Sequence, residues 1–85
     1  MNRVLMYTTA ICPYCVAAKN YLVSRGLNYE EVRVDRDHER MREMITRTQR
    51  RSVPQIFIND HHVGGYDDLV TLDRSGGLDA LLIKE

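Results

Sequence analysis

The 85-residue chain carries no surplus of either charge: twelve lysines and arginines balance twelve aspartates and glutamates. That balance argues against general nucleic-acid binding, where a basic excess supplies most of the affinity. Nor does any apolar run approach the roughly 20 residues of a membrane-spanning helix. Met1-Asn2-Arg3 leads straight into Val4-Leu5-Met6-Tyr7, without the long apolar segment and small-residue cleavage site of a secretory signal. The expected address is therefore the cytoplasm. There is no repeat, linker or low-complexity tract, and the length fits a single domain over residues 1–85. Cysteine is scarce, with two residues in all, so the core implied by 44% hydrophobic content has to form without a disulfide scaffold.

Both cysteines fall in one stretch, Thr8-Thr9-Ala10-Ile11-Cys12-Pro13-Tyr14-Cys15-Val16-Ala17-Ala18-Lys19. Val4 to Thr8 is short and apolar, and reads as a buried strand. Pro13 to Arg25 reads as a helix, with Pro13 suited to its first position and Gly26 to the residue past its end. Cys15, Ala18 and Leu22 share one face of that helix, which is expected to meet the core. Tyr29 to Val34 alternates Val32 and Val34 with charged residues, as a half-exposed strand does. Asp37 is placed to cap a second helix over 38–48, with Met41, Met44 and Ile45 as its apolar stripe. Pro54 to Ile58 is a third strand, Asn59-Asp60 a tight turn, and His61 to Val63 a fourth strand closing a hairpin. Gly64-Gly65 breaks the chain before a helix opening at Asp67-Asp68, and a last helix is expected from Gly77 to Ile83. The order βαβ, α, ββ, α predicts a four-stranded mixed sheet flanked by helices, with a right-handed parallel crossover first.

Three roles are open to the cysteine pair. A structural staple would close a loop of about four residues, worth roughly 2 kcal/mol at most, in a compartment that keeps thiols reduced. A zinc site would need two further ligands. Only His38, His61 and His62 are available, and the adjacent His61 and His62 point to opposite faces of a strand. These histidines read better as exposed hairpin and helix-start residues. A redox reagent fits the surroundings. Cys12 precedes Pro13 at a helix N-cap, where unpaired N–H groups and the positive end of the helix dipole favour a thiolate. Thiols so placed have pKa values in roughly the 3.5–7.5 range. Cys15, one turn further on, faces the core. The pair thus reads as an accessible attacking thiol and a covered resolving one.

On three blocks the chain resembles the glutaredoxins over essentially its full length: Cys12-Pro13-Tyr14-Cys15 after the first strand, Ser52-Val53-Pro54 before the third, and Gly64-Gly65-Tyr66-Asp67-Asp68 before the next helix. Each block alone is weak; the three in order are specific. The resemblance implies a thioredoxin-like fold and glutathione-dependent reduction of protein disulfides and glutathionylated thiols. It also implies catalytic Cys12 and Cys15, and a glutathione site formed by Cys12, Tyr14, Val53, Pro54, Gly65, Tyr66, Asp67 and Asp68. No metal is expected, the partners are glutathione and glutathionylated or disulfide-containing proteins, and the chain is expected to be a monomer. Val53-Pro54 would be a cis peptide, leaving the Val53 backbone free to pair with an extended tripeptide; a plain proline at a strand start is the competing reading. Gly64-Gly65 would permit close backbone approach, and the helix after it would offer N–H groups to a carboxylate. Asp67 would meet the γ-glutamyl ammonium, although Asp67 and Asp68 also suit a helix cap.

Six of the twelve basic residues lie between Arg36 and Arg51. They read chiefly as a solvated helix face with pairs such as Glu43–Arg47. Arg40, Arg42 and Arg50 are the candidates to hold the glycyl carboxylate of glutathione. The chain also departs from the family pattern. Thr9 stands where many glutaredoxins have a lysine, Ser52 replaces the usual threonine, and Tyr66 replaces a common third cysteine. Tyr66 could wall the glutathione groove or pack against the last helix. Two other functions are open to a Cys-x-x-Cys pair. One is a thioredoxin-like reductant recharged by a flavoprotein, against which the third block speaks. The other is an iron–sulfur carrier using one cysteine from each of two protomers, which Pro13 disfavours by stiffening the loop.

Overall fold

The computed structural model describes residues 2–82. Its elements are β1 (Val4–Thr8), α1 (Pro13–Ser24), β2 (Glu30–Arg33), α2 (His38–Thr48), β3 (Gln55–Ile58), β4 (His61–Gly64), α3 (Tyr66–Arg74) and α4 (Gly77–Leu81). The sheet order is β2-β1-β3-β4, with β1 parallel to β2 and antiparallel to β3, and β3 antiparallel to β4. The mixed sheet predicted from the element order is therefore present. Most limits differ by a residue or so. α1 stops at Ser24, with Arg25 as its C-cap, and α3 starts at Tyr66. The expected end of the last helix at Ile83 lies outside the described residues.

Alternation along the strands sorts the side chains into two cores. Val4, Met6, Ile56 and Ile58 face α1, α3 and α4, where Ala18, Leu22, Leu69 and Leu78 are completely buried. Tyr7, Val32, Val34 and Phe57 face α2 and its buried Met44. Full burial of one such residue, Leu22 for example, stabilises the fold by about 1.5–3 kcal/mol. Cys15 is buried on the same face of α1 as Ala18 and Leu22, as the spacing predicts.

Local sequence sets the ends of these elements. Gly26 adopts φ +72°, and Leu27 N–H reaches back to the Leu22 carbonyl at 2.9 Å, closing α1. Asp37 Oδ1 accepts the N–H groups of Glu39 and Arg40 at 3.0 and 3.3 Å, capping α2. Asn59 and Asp60 both take positive φ, as the tight hairpin turn between β3 and β4 requires.

Two expectations are corrected. Glu43 and Arg47 do not pair directly: both bond to the hydroxyl of buried Tyr7, and Glu43 forms its ion pair with Arg40 at 3.3 Å. Arg47 also lies over the Phe57 ring, 3.9 Å from its centroid. His62 is not an exposed hairpin residue. It is half-buried, bonded to Gln55 and packed on Phe57, whereas His38 and His61 are exposed.

Candidate active site

β1, an inner strand of the sheet, delivers the chain from its C-terminal end to Cys12. The short connection is held by Ala10 N–H, which donates to Asp35 Oδ2 at 3.2 Å. Arg33 grips the same carboxylate with two bonds of 2.8 and 2.7 Å. The Arg33 guanidinium is the main reason that Asp35 stays ionised far below the usual carboxylate range. Cys12 itself is the N-cap of α1, in extended conformation, with Pro13 in the first turn. Its Sγ accepts the Cys15 N–H at 3.1 Å. The first turn of α1 contains no acidic residue to oppose a negative charge at that sulfur. The cap position therefore has the two features that favour a thiolate, an N–H donor and an unopposed helix dipole.

Cys12 and Cys15 are joined as a disulfide, with Cα atoms 5.1 Å apart. Cys12 is half-buried while Cys15 is only 1% exposed. An incoming thiol can reach the first sulfur and not the second. In the reduced form, the same asymmetry makes Cys12 the thiol that meets an external disulfide. Cys15 stays within reach to attack Cys12 afterwards.

The second wall of the site comes from the connection between α2 and β3. The Val53–Pro54 peptide is cis, and the Val53 carbonyl oxygen lies 3.8 Å from Cys12 Sγ. Thr48 Oγ1 steadies this connection from the end of α2, accepting Arg50 N–H at 3.0 Å and lying 3.1 Å from the Arg50 carbonyl. The third wall is the start of α3. Gly65 N–H donates to Asp68 Oδ2 at 2.9 Å, and Arg50 Nη1 reaches that oxygen at 3.1 Å. The Gly65 N–H, more than Arg50, holds the Asp68 carboxyl below its ordinary pKa. Because the folded-state pKa is lowered, the stabilising contribution is complete at neutral pH and is lost as pH falls through that lowered value.

These walls enclose a cleft of about 200 Å³. Tyr14, Val53, Pro54, Gly65, Tyr66, Asp67 and Asp68 all line it, so the structure gathers every predicted binding residue except Cys12. The Cys12 sulfur is instead beside Val53, at the margin. Of the three candidate arginines only Arg50 lines the cleft. Tyr66 walls it and leans on α1, its ring centroid 6.3 Å from those of Tyr14 and Tyr21. Asp68 performs the capping role suggested for the acidic pair, and no side-chain hydrogen bond or ion pair among the described residues engages the Asp67 carboxylate. Ser52 and Gln55 also line the cleft: Ser52 belongs to the Ser52-Val53-Pro54 block, and the one sequence signal for Gln55 is its adjacency to that block.

A second cleft, about 260 Å³, lies where β1 and β2 begin and shares no lining residue with the first. Among the described residues, no three histidine, cysteine, aspartate or glutamate side chains form a metal-binding group. No described helix is long and apolar enough to cross a membrane.

A glutaredoxin family model matches residues 4–63. Glutaredoxin 3 of Escherichia coli (strain K12) is 49% identical over 82 residues, covering 96% of this chain and 99% of the relative. A glutaredoxin of Neisseria meningitidis is 49% identical over 83 residues, covering 96% and 98%. Among solved structures, glutaredoxin from Brucella melitensis superposes with a TM-score of 0.81 at 44% identity, over 94% of this chain and 87% of that one. A buckwheat glutaredoxin–glutathione complex superposes with a TM-score of 0.85 at 26% identity, over 95% and 76%. With the cysteine pair, the cleft beside it and these likenesses over nearly the whole length in agreement, the chain belongs to the glutaredoxin family of thiol–disulfide oxidoreductases.

Proposed function

We propose that the chain reduces glutathionylated thiols and protein disulfides at the expense of glutathione, and that glutathione lies in the cleft beside Cys12. The observation that carries this reading is the position of the Val53 carbonyl, 3.8 Å from Cys12 Sγ, at the margin of a cleft whose far wall is Gly65–Asp68. An extended tripeptide with its sulfur on Cys12 pairs its backbone with Val53. Its γ-glutamyl carboxylate meets the start of α3, its ammonium meets Asp67, and its glycyl carboxylate meets Arg50. Tyr14 and Tyr66 cover the apolar part of the ligand. A superposable relative solved as a glutathione complex supports the same reading.

Two routes follow from the unequal burial of the thiols. In the first, the Cys12 thiolate attacks the glutathione sulfur of a mixed disulfide, and the substrate leaves as a thiolate that takes up a proton. A second glutathione thiolate then attacks the glutathionyl–Cys12 bond, giving glutathione disulfide and free Cys12. In the second, Cys12 attacks a protein disulfide and the Cys15 thiolate displaces the protein from Cys12, forming the Cys12–Cys15 bond. Two molecules of glutathione restore the dithiol. We further propose that the protein works as a monomer in the cytoplasm, where the pair is kept reduced.

The test compares reductants. A cysteine–glutathione mixed disulfide should turn over with glutathione, glutathione reductase and NADPH, and should not turn over with NADPH and a thioredoxin reductase alone. The reverse preference would identify a thioredoxin-like reductant instead. In the same assay Asp67→Lys sets a cation where the γ-glutamyl ammonium sits. It should raise KM for the mixed disulfide about tenfold with kcat largely kept, as expected for a solvent-exposed charge pair reversed in sign. An unchanged KM would remove Asp67 from the site.

A further inference from the structure

Gln55 is a fully buried amide, 1% exposed, in a strand otherwise made of Ile56, Phe57 and Ile58. Its bonding is complete and runs in one direction. Nε2 donates to the Ser52 carbonyl at 3.0 Å and lies 3.3 Å from Ser52 Oγ. Oε1 is 2.8 Å from His62 Nε2. With the amide NH₂ turned to Ser52, its oxygen has to accept, so His62 carries its proton on Nε2 and donates. The strand register makes this contact available. Gln55 and Phe57 share a face two residues apart, and His62 stands opposite Phe57 across the β3–β4 ladder. The imidazole packs on the Phe57 ring, with centroids 5.0 Å apart and planes inclined by 30°. Burial first, and Arg50 second, lower the His62 pKa below that of a free imidazole and so favour the neutral ring.

We propose that His62 is a positioning residue for the glutathione site: by donating to Gln55 it fixes the amide that holds Ser52, and with it the Ser52–Val53 backbone facing Cys12. This rests on the reading that glutathione pairs with Val53. The imidazole touches neither cysteine and reaches the Ser52–Val53 backbone through two hydrogen bonds. When the donor is lost, Gln55 Oε1 is left buried and unpaired, and the amide is then free to rotate away from Ser52. The connection bearing Val53 loosens, and glutathione pays the cost of ordering it on binding.

The experiment is steady-state kinetics with a glutathionylated peptide on three variants. His62→Phe keeps a ring against Phe57 and removes the donor. Its KM should rise about fivefold, the ratio expected for one lost buried hydrogen bond, with kcat changed less than about twofold. His62→Gln restores an N–H donor and should bring KM back toward wild type. Gln55→Met should raise KM by itself, and combining it with His62→Phe should add little, because both cut one chain of bonds. The rate of Cys12 alkylation by iodoacetamide, which needs no glutathione site, should be the same in all of them. An unchanged KM in His62→Phe overturns the assignment, as does full additivity in the double variant. So does a variant that loses thermal stability and kcat together at constant KM. If the wild-type protein shows no deglutathionylation at all, the glutathione reading falls and this one with it. If wild type is active and Asp67→Lys raises KM while His62→Phe does not, only the role of His62 is lost.

Discussion

Replacing Cys12 by serine is expected to abolish turnover of every disulfide substrate, a loss of at least about a thousandfold, because the reaction then has no nucleophile. Cys15→Ser should behave differently. It should keep removal of glutathione from mixed disulfides, where a second glutathione completes the cycle, and should lose reduction of protein disulfides that need an internal resolving thiol. The contrast follows from position. Cys12 is half-buried at the helix N-cap with the Cys15 N–H on its sulfur, while Cys15 is 1% exposed. Assay of both variants with a glutathionylated peptide and with a protein disulfide separates the two roles. Robust activity in Cys12→Ser would reverse the assignment of attacker and resolver.

Gly64→Ala should cost about 2–4 kcal/mol of stability, from backbone strain and a displaced hydrogen bond at the start of α3 together. Gly64 ends β4 with φ +112°, a conformation that residues with a Cβ rarely adopt. An added Cβ would also run into the Asp68 carboxylate. That carboxylate has to stay where it is, since it accepts the Gly65 N–H and the Arg50 guanidinium. Moving it disturbs both the start of α3 and the arginine of the cleft. The melting temperature should therefore fall by something on the order of 10–20 °C for a domain of this size, and KM for a glutathionylated peptide should rise in the fraction that remains folded. Thermal unfolding followed by circular dichroism measures the first effect. A melting temperature within a degree or two of wild type would mean that the chain turns here without needing glycine.

The order of elements was legible because it depends on local patterns. The short apolar run of β1, the alternation in β2, the spacing of Cys15, Ala18 and Leu22, the Asp37 cap and the Asn59-Asp60 turn each act within a few residues. The reactive end of α1 was legible for the same reason, since Pro13 and the cysteine before it define a helix start by themselves. Contacts that cross between elements were not. Glu43 and Arg47 have ion-pair spacing on a helix surface, but the Tyr7 hydroxyl beneath α2 draws both of them in. His62 beside a turn reads as exposed; which face of β4 it occupies depends on the irregular register between Ile56 and Phe57. Gln55 reads as one more residue of an apolar strand, although a buried amide there needs partners on two neighbouring segments. Arg50 could not be separated from Arg40 and Arg42 by spacing, because only the path of the chain after Thr48 brings it to Asp68.

Capture of the glutathionyl group by Cys12 is tested most directly with the Cys15→Ser variant, reduced, mixed with glutathione disulfide and examined by intact mass and peptide mapping. One glutathionyl group should appear on Cys12, and added glutathione should remove it. A protein that stays unmodified, or an adduct on Cys12 that glutathione cannot release, would contradict the glutathione site and the cycle built on it.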